Sequence, residues 1–159
     1  MAAEHRAAYL NDHLAGAVAA LELLEDLEST YAGTTKTVEF AGFRGDIEAD
    51  RNELKALMDR LQVTESGTRK ATAWLSSKFA EIKLRLDDRI TGPLRLLESV
   101  EAVALGIEGK LALWRGLSAA AETTPELRAV DYERLLQRAS EQRRRIEAIR
   151  LEAAKSVLA

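Results

Sequence analysis

TGPLRLLESVEAVALGIEGKLALWRGLSAAA, residues 91–121, decides how this chain folds. Proline is well tolerated at the first position of a helix, where its missing N–H has no partner to lose. Threonine or glycine before it can cap, so Thr91-Gly92-Pro93 is the clearest start signal in the chain. From there Leu97, Val100, Ala104, Ile107, Leu111 and Trp114 recur at steps of three and four. That spacing places them on one stripe of a helix running from about Pro93 to Ala121. A single amphipathic rod cannot hide its stripe, so the rest of the chain must supply partners.

The same period appears on both sides of this stretch. Leu10, Leu14, Ala17, Leu21, Leu24 and Tyr31 predict a first helix from about Ala3 to Tyr31, with Gly33 as a left-handed stop. Phe40, Phe43, Ile47, Leu54, Leu57 and Leu61 predict a second from Val38 to about Val63. After a break at Thr64 to Gly67, the residues Ala71, Leu75, Phe79, Ile82 and Leu86 mark a shorter helix from about Thr68 to Asp88, whose other face is rich in Arg and Lys. Thr124-Pro125-Glu126 repeats the start logic of threonine cap, proline and first-turn acid. It predicts a last helix from Pro125 to Leu158, with Tyr132, Leu135, Ala139, Ile146, Ile149 and Ala153 on one face. Four rods of roughly 25 to 34 residues, each about 38 to 50 Å long, are hidden together only by a bundle. The expected fold is therefore all-α: one domain over residues 1–159, a four-long-helix bundle. The shorter helix, between the second and third long ones, serves as a crossover that lets those two run parallel.

Composition agrees. Of 159 residues, 47% are apolar and 31% charged, with only two prolines to break helices. Cysteine is absent, which excludes a disulfide framework, a thiolate zinc site and a cysteine nucleophile, and makes a reducing, cytoplasmic setting the expectation. Leu14 to Leu21 (LAGAVAAL) follows Asp12 and His13 rather than a basic stretch, so it reads as helix and not as a leader. No run reaches the ~18 to 20 apolar residues of a membrane span. The net charge of −3 argues against nucleic acid as partner. Residues 1–65 carry 6 basic and 13 acidic groups, whereas 126–159 carry 8 and 6. An acidic first half docking on a more basic second half accounts for this, and an external anionic partner is the alternative. No phosphate loop, nucleophile elbow or zinc motif is present, and no serine has a histidine placed to activate it.

The chemistry, if any, must come from polar residues at the seam between helices. Asp50 stands where heptad counting expects an apolar residue between Ile47 and Leu54, and Gln142 interrupts the last stripe. Glu101 and Glu108 flank the stripe of 93–121, while Glu22, Glu25 and His13 border the first. A polar group left unpaired in a dry seam costs about 1 to 3 kcal/mol. These residues therefore form a polar layer that fixes register, or a ligand or metal site, or mark stripes read one position off. His13, beside the Leu10 and Leu14 stripe, is a boundary histidine bonded to a neighbouring helix, a metal ligand or a proton-linked switch. His5 lies about 12 Å further along the axis, too far to share an ion with it. Gly106 and Gly109 each cost a helix up to about 1 kcal/mol, which close approach of another helix or a second subunit, or room for a ligand, would offset. Trp74 and Trp114 read as core or interface anchors. Arg143-Arg144-Arg145, with Arg134, Arg138 and Arg150, interleaves with Glu141, Glu147 and Glu152 at helical spacing. That face is either salt-bridged and solvated, or open to an acidic partner.

The segments NDHLAGAVAALELLEDL (11–27), LESVEAVALGIEGKLALWRGL (97–117) and RASEQRRRIEAIRLEAA (138–154) resemble the ferritin-like superfamily, most nearly its small bacterial members. The likeness is architectural and covers nearly the whole chain. It implies a site taking one glutamate from the first and third long helices and a Glu-x-x-His pair from the second and fourth. By that resemblance Glu22 or Glu25 and Glu101 or Glu108 supply the first two ligands. The pattern then fails. The second helix offers Asp50 and Glu53 around Arg51 and Asn52, and the last offers Glu141 followed by Arg144 where a histidine is required. Arginine has no lone pair to give. The expectation is a non-enzymatic bundle with no cofactor and no working dimetal site, homodimeric, and acting through contacts or a small ligand cavity. Its rival is a carboxylate-only di-iron or di-manganese protein, an oxidase or metal store, with Glu22, Asp50, Glu53, Glu101, Glu108 and Glu141 as ligands.

Overall fold

The computed structural model describes residues 1–66 and 92–159. Its long elements are four α-helices: α1 (Ala2–Thr30), α2 (Thr35–Arg60), α3 (Gly92–Ala120) and α4 (Tyr132–Leu158). The helix expected at 68–88 lies outside the described residues, as does Trp74. Gly33 turns the chain between α1 and α2 at φ +81°, the left-handed conformation that glycine adopts at no steric cost.

The last helix starts later than its Thr-Pro-Glu signal predicts. Pro125–Leu127 forms only a short 3-10 turn, and α4 begins after Asp131, whose side chain accepts a hydrogen bond from the Arg134 backbone N–H. Burial explains the interruption. Leu127 is driven into the core while the Tyr132 hydroxyl donates to its carbonyl at 2.9 Å. Arg128 donates to the Ala121 and Glu122 carbonyls at 3.0 and 2.8 Å, satisfying the end of α3. The chain makes a corner there that a continuous helix could not.

Cross-helix pairs fix the directions of the rods. Arg44 meets Glu28 across α1 and α2 at 2.5 Å, and Arg95 meets Thr30 across α1 and α3 at 3.2 Å. At the other end of that second pair, the Tyr9 hydroxyl lies beside Gly116. Between α2 and α4, Lys36 pairs with Glu152, Asp46 with Arg145, Asp50 with Arg138 and Glu53 with Arg134, each step along α2 matched by a step back along α4. Glu101 with Arg150 and Glu108 with Arg143 do the same for α3 and α4. Each neighbouring pair is antiparallel, so α2 and α3, which sit across the diagonal, run parallel. The end of α2 and the start of α3 therefore lie at opposite ends of the bundle, about 39 Å apart for a 26-residue helix.

The stripes predicted for α2 and α4 are those that are buried, apart from a half-buried Leu61. On α1 the buried line is rotated toward Ala20, Leu23 and Leu27, leaving Ala17 and Leu21 half-exposed; on α3 it broadens to include Leu96, Val103, Leu113 and Leu117. The core falls into two apolar clusters. One gathers Leu24, Phe40, Phe43, Val100, Ile107 and Ile146, the other Leu10, Leu57, Trp114, Leu127 and Leu135. Each large side chain so buried stabilises the fold by about 1.5 to 3 kcal/mol.

Candidate functional site

Between the two clusters the interior is polar. Along α2, Asp50 separates Ile47 of one cluster from Leu54 of the other; along α4, Arg138 and Gln142 separate Leu135 from Ile146. Along α3 the corresponding residue is Lys110, between Ile107 and Leu113. On α1 only the uncharged run Ala15-Gly16-Ala17-Val18-Ala19 stands between Leu14 and Ala20. The two apolar clusters are thus divided by one layer to which three of the four helices contribute charge or amide.

Asp50, 3% exposed, is the hub. Its Oδ2 accepts from Lys110 Nζ at 2.5 Å and from Gln142 Nε2 at 2.9 Å, and its Oδ1 accepts from Arg138 Nε at 2.7 Å. Lys110 also donates to Gln142 Oε1, closing a ring of carboxylate, ammonium and amide. Burial pushes the Lys110 ammonium below the ordinary lysine range, and the pull of Asp50 offsets that loss only in part. The neighbouring Arg138 guanidinium works in the same direction as burial. Within the layer Gln142 spends both ends of its amide, and the Asp50 carboxylate already faces two cations.

Asp50 and Gln142 are therefore brought together as a seam layer, whereas the other candidates are not. Glu22 and Glu25 are on the exposed face of α1. Glu101 pairs with Arg150 at 3.4 Å, Glu108 with Arg143, Glu53 with Arg134 at 2.6 Å and Glu141 with Arg144 of its own helix at 2.6 Å. Apart from the buried Asp50, the carboxylates of the proposed metal set are dispersed over the surface, and Glu53, Glu101, Glu108 and Glu141 each face an arginine. Among the described residues no group of three or more His, Asp or Glu side chains could hold a metal ion. A dimetal centre does not fit this donor set, because Lys110 Nζ and the Arg138 guanidinium occupy the contacts of the only carboxylate buried among the described residues.

His13 is half-buried and meets Tyr9 of its own helix edge to face, ring centroids 4.6 Å apart; among the described residues it makes no hydrogen bond to a neighbouring helix. Burial lowers its pKa below the usual histidine value, against the opposing pull of Asp12. The arginine run is paired throughout. Arg144 meets Glu141, Arg150 meets Glu147 at 2.7 Å, and Arg145 meets Asp46 at 2.7 Å. Arg145 also lies 4.5 Å over the Phe43 ring, in space that Gly42 leaves open. The face read as salt-bridged and solvated has that form.

Two residues of the polar system escaped the sequence reading. Lys110 lies three residues after Ile107 and four before Trp114, so helical spacing alone would have put it on the buried stripe. Asn11, 3% exposed, bonds Ala7 O at 2.9 Å and Thr64 O at 3.2 Å, and accepts from the Ser66 N–H at 2.8 Å. It clasps the chain leaving α2 onto α1, a contact 55 residues apart that no local pattern announces. No family model, curated protein or solved structure matches this chain. Among the described residues no helix is long and apolar enough to cross a membrane.

Proposed function

We propose that this chain is a bundle of ferritin-like type whose dimetal centre has been replaced by an internal salt-bridged layer, a cytoplasmic, non-enzymatic protein that works through its surface. Support for the ferritin-like reading comes from topology: α2 and α3 run parallel, joined by one long connection, as in bundles of that class. Support for the missing metal comes from one observation. The Lys110 ammonium, donating to Asp50 and Gln142 in the middle of the bundle, supplies the positive charge that a bound cation would supply elsewhere.

A lysine in that role needs no open coordination position and admits no substrate, so the layer holds helices in register instead of performing a reaction. It supplies orientation: with Asp50 on α2, Lys110 on α3 and Gln142 on α4, sliding any one rod by a turn leaves a buried charge unpaired. Elemental analysis of protein purified without chelator, and again after incubation with manganese or ferrous iron, tests the reading. Metal well below one equivalent per chain is expected. Near-stoichiometric iron, manganese or zinc, lowered by Asp50→Ala or Glu101→Ala, overturns it in favour of a carboxylate-held metal centre.

A further inference from the structure

The α2–α4 and α3–α4 sides of the bundle carry ladders of ion pairs, whereas the middle of the α1–α3 side is apolar. The helical period puts Leu105, Gly109, Ala112, Gly116 and Ala119 on one outward stripe of α3. Leu105 is 73% exposed. Alongside it, α1 carries no charge from Leu14 to Leu21. Among the described residues nothing accounts for the glycines: a Cβ at Gly106 or Gly109 would meet no atom of theirs within 4 Å. Neither is required by a helix among the described residues, yet each weakens α3 relative to alanine.

The charges flanking this stripe are arranged symmetrically about its middle. Glu101, Glu108 and Arg115 lie seven residues apart on one flank. Two antiparallel helices related by a two-fold axis face each other flank to like flank. Centred on Glu108, such a pair sets Glu101 of each α3 against Arg115 of the other, and Leu105 near Ala112. Arg115 is exposed and has no acidic partner among the described residues. Glu101 has acceptor capacity to spare, since Arg150 stands 3.4 Å from it and keeps its shorter contacts for Glu147. The two Glu108 carboxylates at the axis are each already neutralised by Arg143.

We propose that the α1–α3 face docks a second copy of this chain, antiparallel on α3, with the glycines admitting close approach and reciprocal Glu101–Arg115 pairs setting the direction. This rests on the reading that the protein works through its surface, but metal content and association are measured separately, so either can fail alone. Sedimentation equilibrium from about 1 to 100 µM tests it, because association obeys mass action. The wild type is expected to be dimeric, and Leu105→Glu to weaken the dimer by at least about tenfold with helical circular dichroism unchanged. Glu101→Arg and Arg115→Glu each weaken it, and the double exchange restores it. A wild type monomeric across the range, a Leu105→Glu variant that associates normally, or a double exchange no better than its singles overturns the proposal.

Discussion

Removing the Asp50 carboxylate should destabilise this protein more than any surface substitution, and the structure says by how much. Asp50→Ala deletes the acceptor of three hydrogen bonds and leaves Lys110, whose side chain is 13% exposed, beside Arg138 with no countercharge between them. Breaking a buried pair by deleting one partner costs about 3 to 5 kcal/mol, mostly the penalty of the orphaned charge. At about 2 to 4 °C per kcal/mol for a domain of this size, the melting temperature falls by roughly 6 to 20 °C. The companion variant Asp50→Leu/Lys110→Met/Gln142→Leu removes the charges together. It is expected to match or exceed wild-type stability, because apolar replacement of a whole buried ionic group is neutral to stabilising by about 1 to 4 kcal/mol. Urea denaturation followed by circular dichroism at equilibrium measures both. An Asp50→Ala variant within about 0.5 kcal/mol of wild type, the scatter of ordinary surface changes, would refute the reasoning.

Three further outcomes follow from the same geometry. His13 is held below its usual pKa, so the folded state favours the neutral ring; stability is then fully present above the ordinary histidine value of 6.5 and declines as pH falls from there through the folded pKa. Urea midpoints of wild type and His13→Gln between pH 5 and 8 should diverge only on the acidic side, and parallel curves would contradict it. Asn11→Ala removes the clasp on Thr64 and Ser66, both exposed and open to water, and should cost about 1 to 2 kcal/mol while the Ser66 amide loses hydrogen-exchange protection. Arg143→Gln, at an ion pair whose side chains are 60% and 45% exposed, should leave the denaturation midpoint within error, and a large loss would show that this surface ladder holds the bundle together.

The bundle was legible because α2 and α4 repeat apolar residues at steps the helix imposes, and each buried Phe, Ile and Leu on those two stripes follows from spacing alone. Asp50 and Gln142 were legible for the same reason, as polar residues in apolar positions. Their partner was not. Lys110 reads as a routine surface lysine unless its distance from Ile107 and Trp114 is weighed, and its long stem lets it cross the diagonal from α3 to α2. The acids around it misled in the other direction: Glu101 and Glu108 sit close to their stripe, but a helix turns 100° per residue, enough to carry their carboxylates outward to Arg150 and Arg143. The corner at Pro125–Leu127 was hidden because a Thr-Pro-Glu start signal suits one turn of 3-10 helix as well as a long α-helix. Only the burial of Leu127 and the two carbonyls satisfied by Arg128 decide between them.

The central claim is that a lysine ammonium, not a metal ion, supplies the positive charge at the heart of the bundle. Crystals grown with manganese and measured at an anomalous wavelength test it most directly. The account predicts no anomalous peak between α2, α3 and α4, and continuous density from Lys110 Nζ to the Asp50 carboxylate and the Gln142 amide oxygen. An anomalous peak bound to Asp50, with Lys110 turned away, would contradict it.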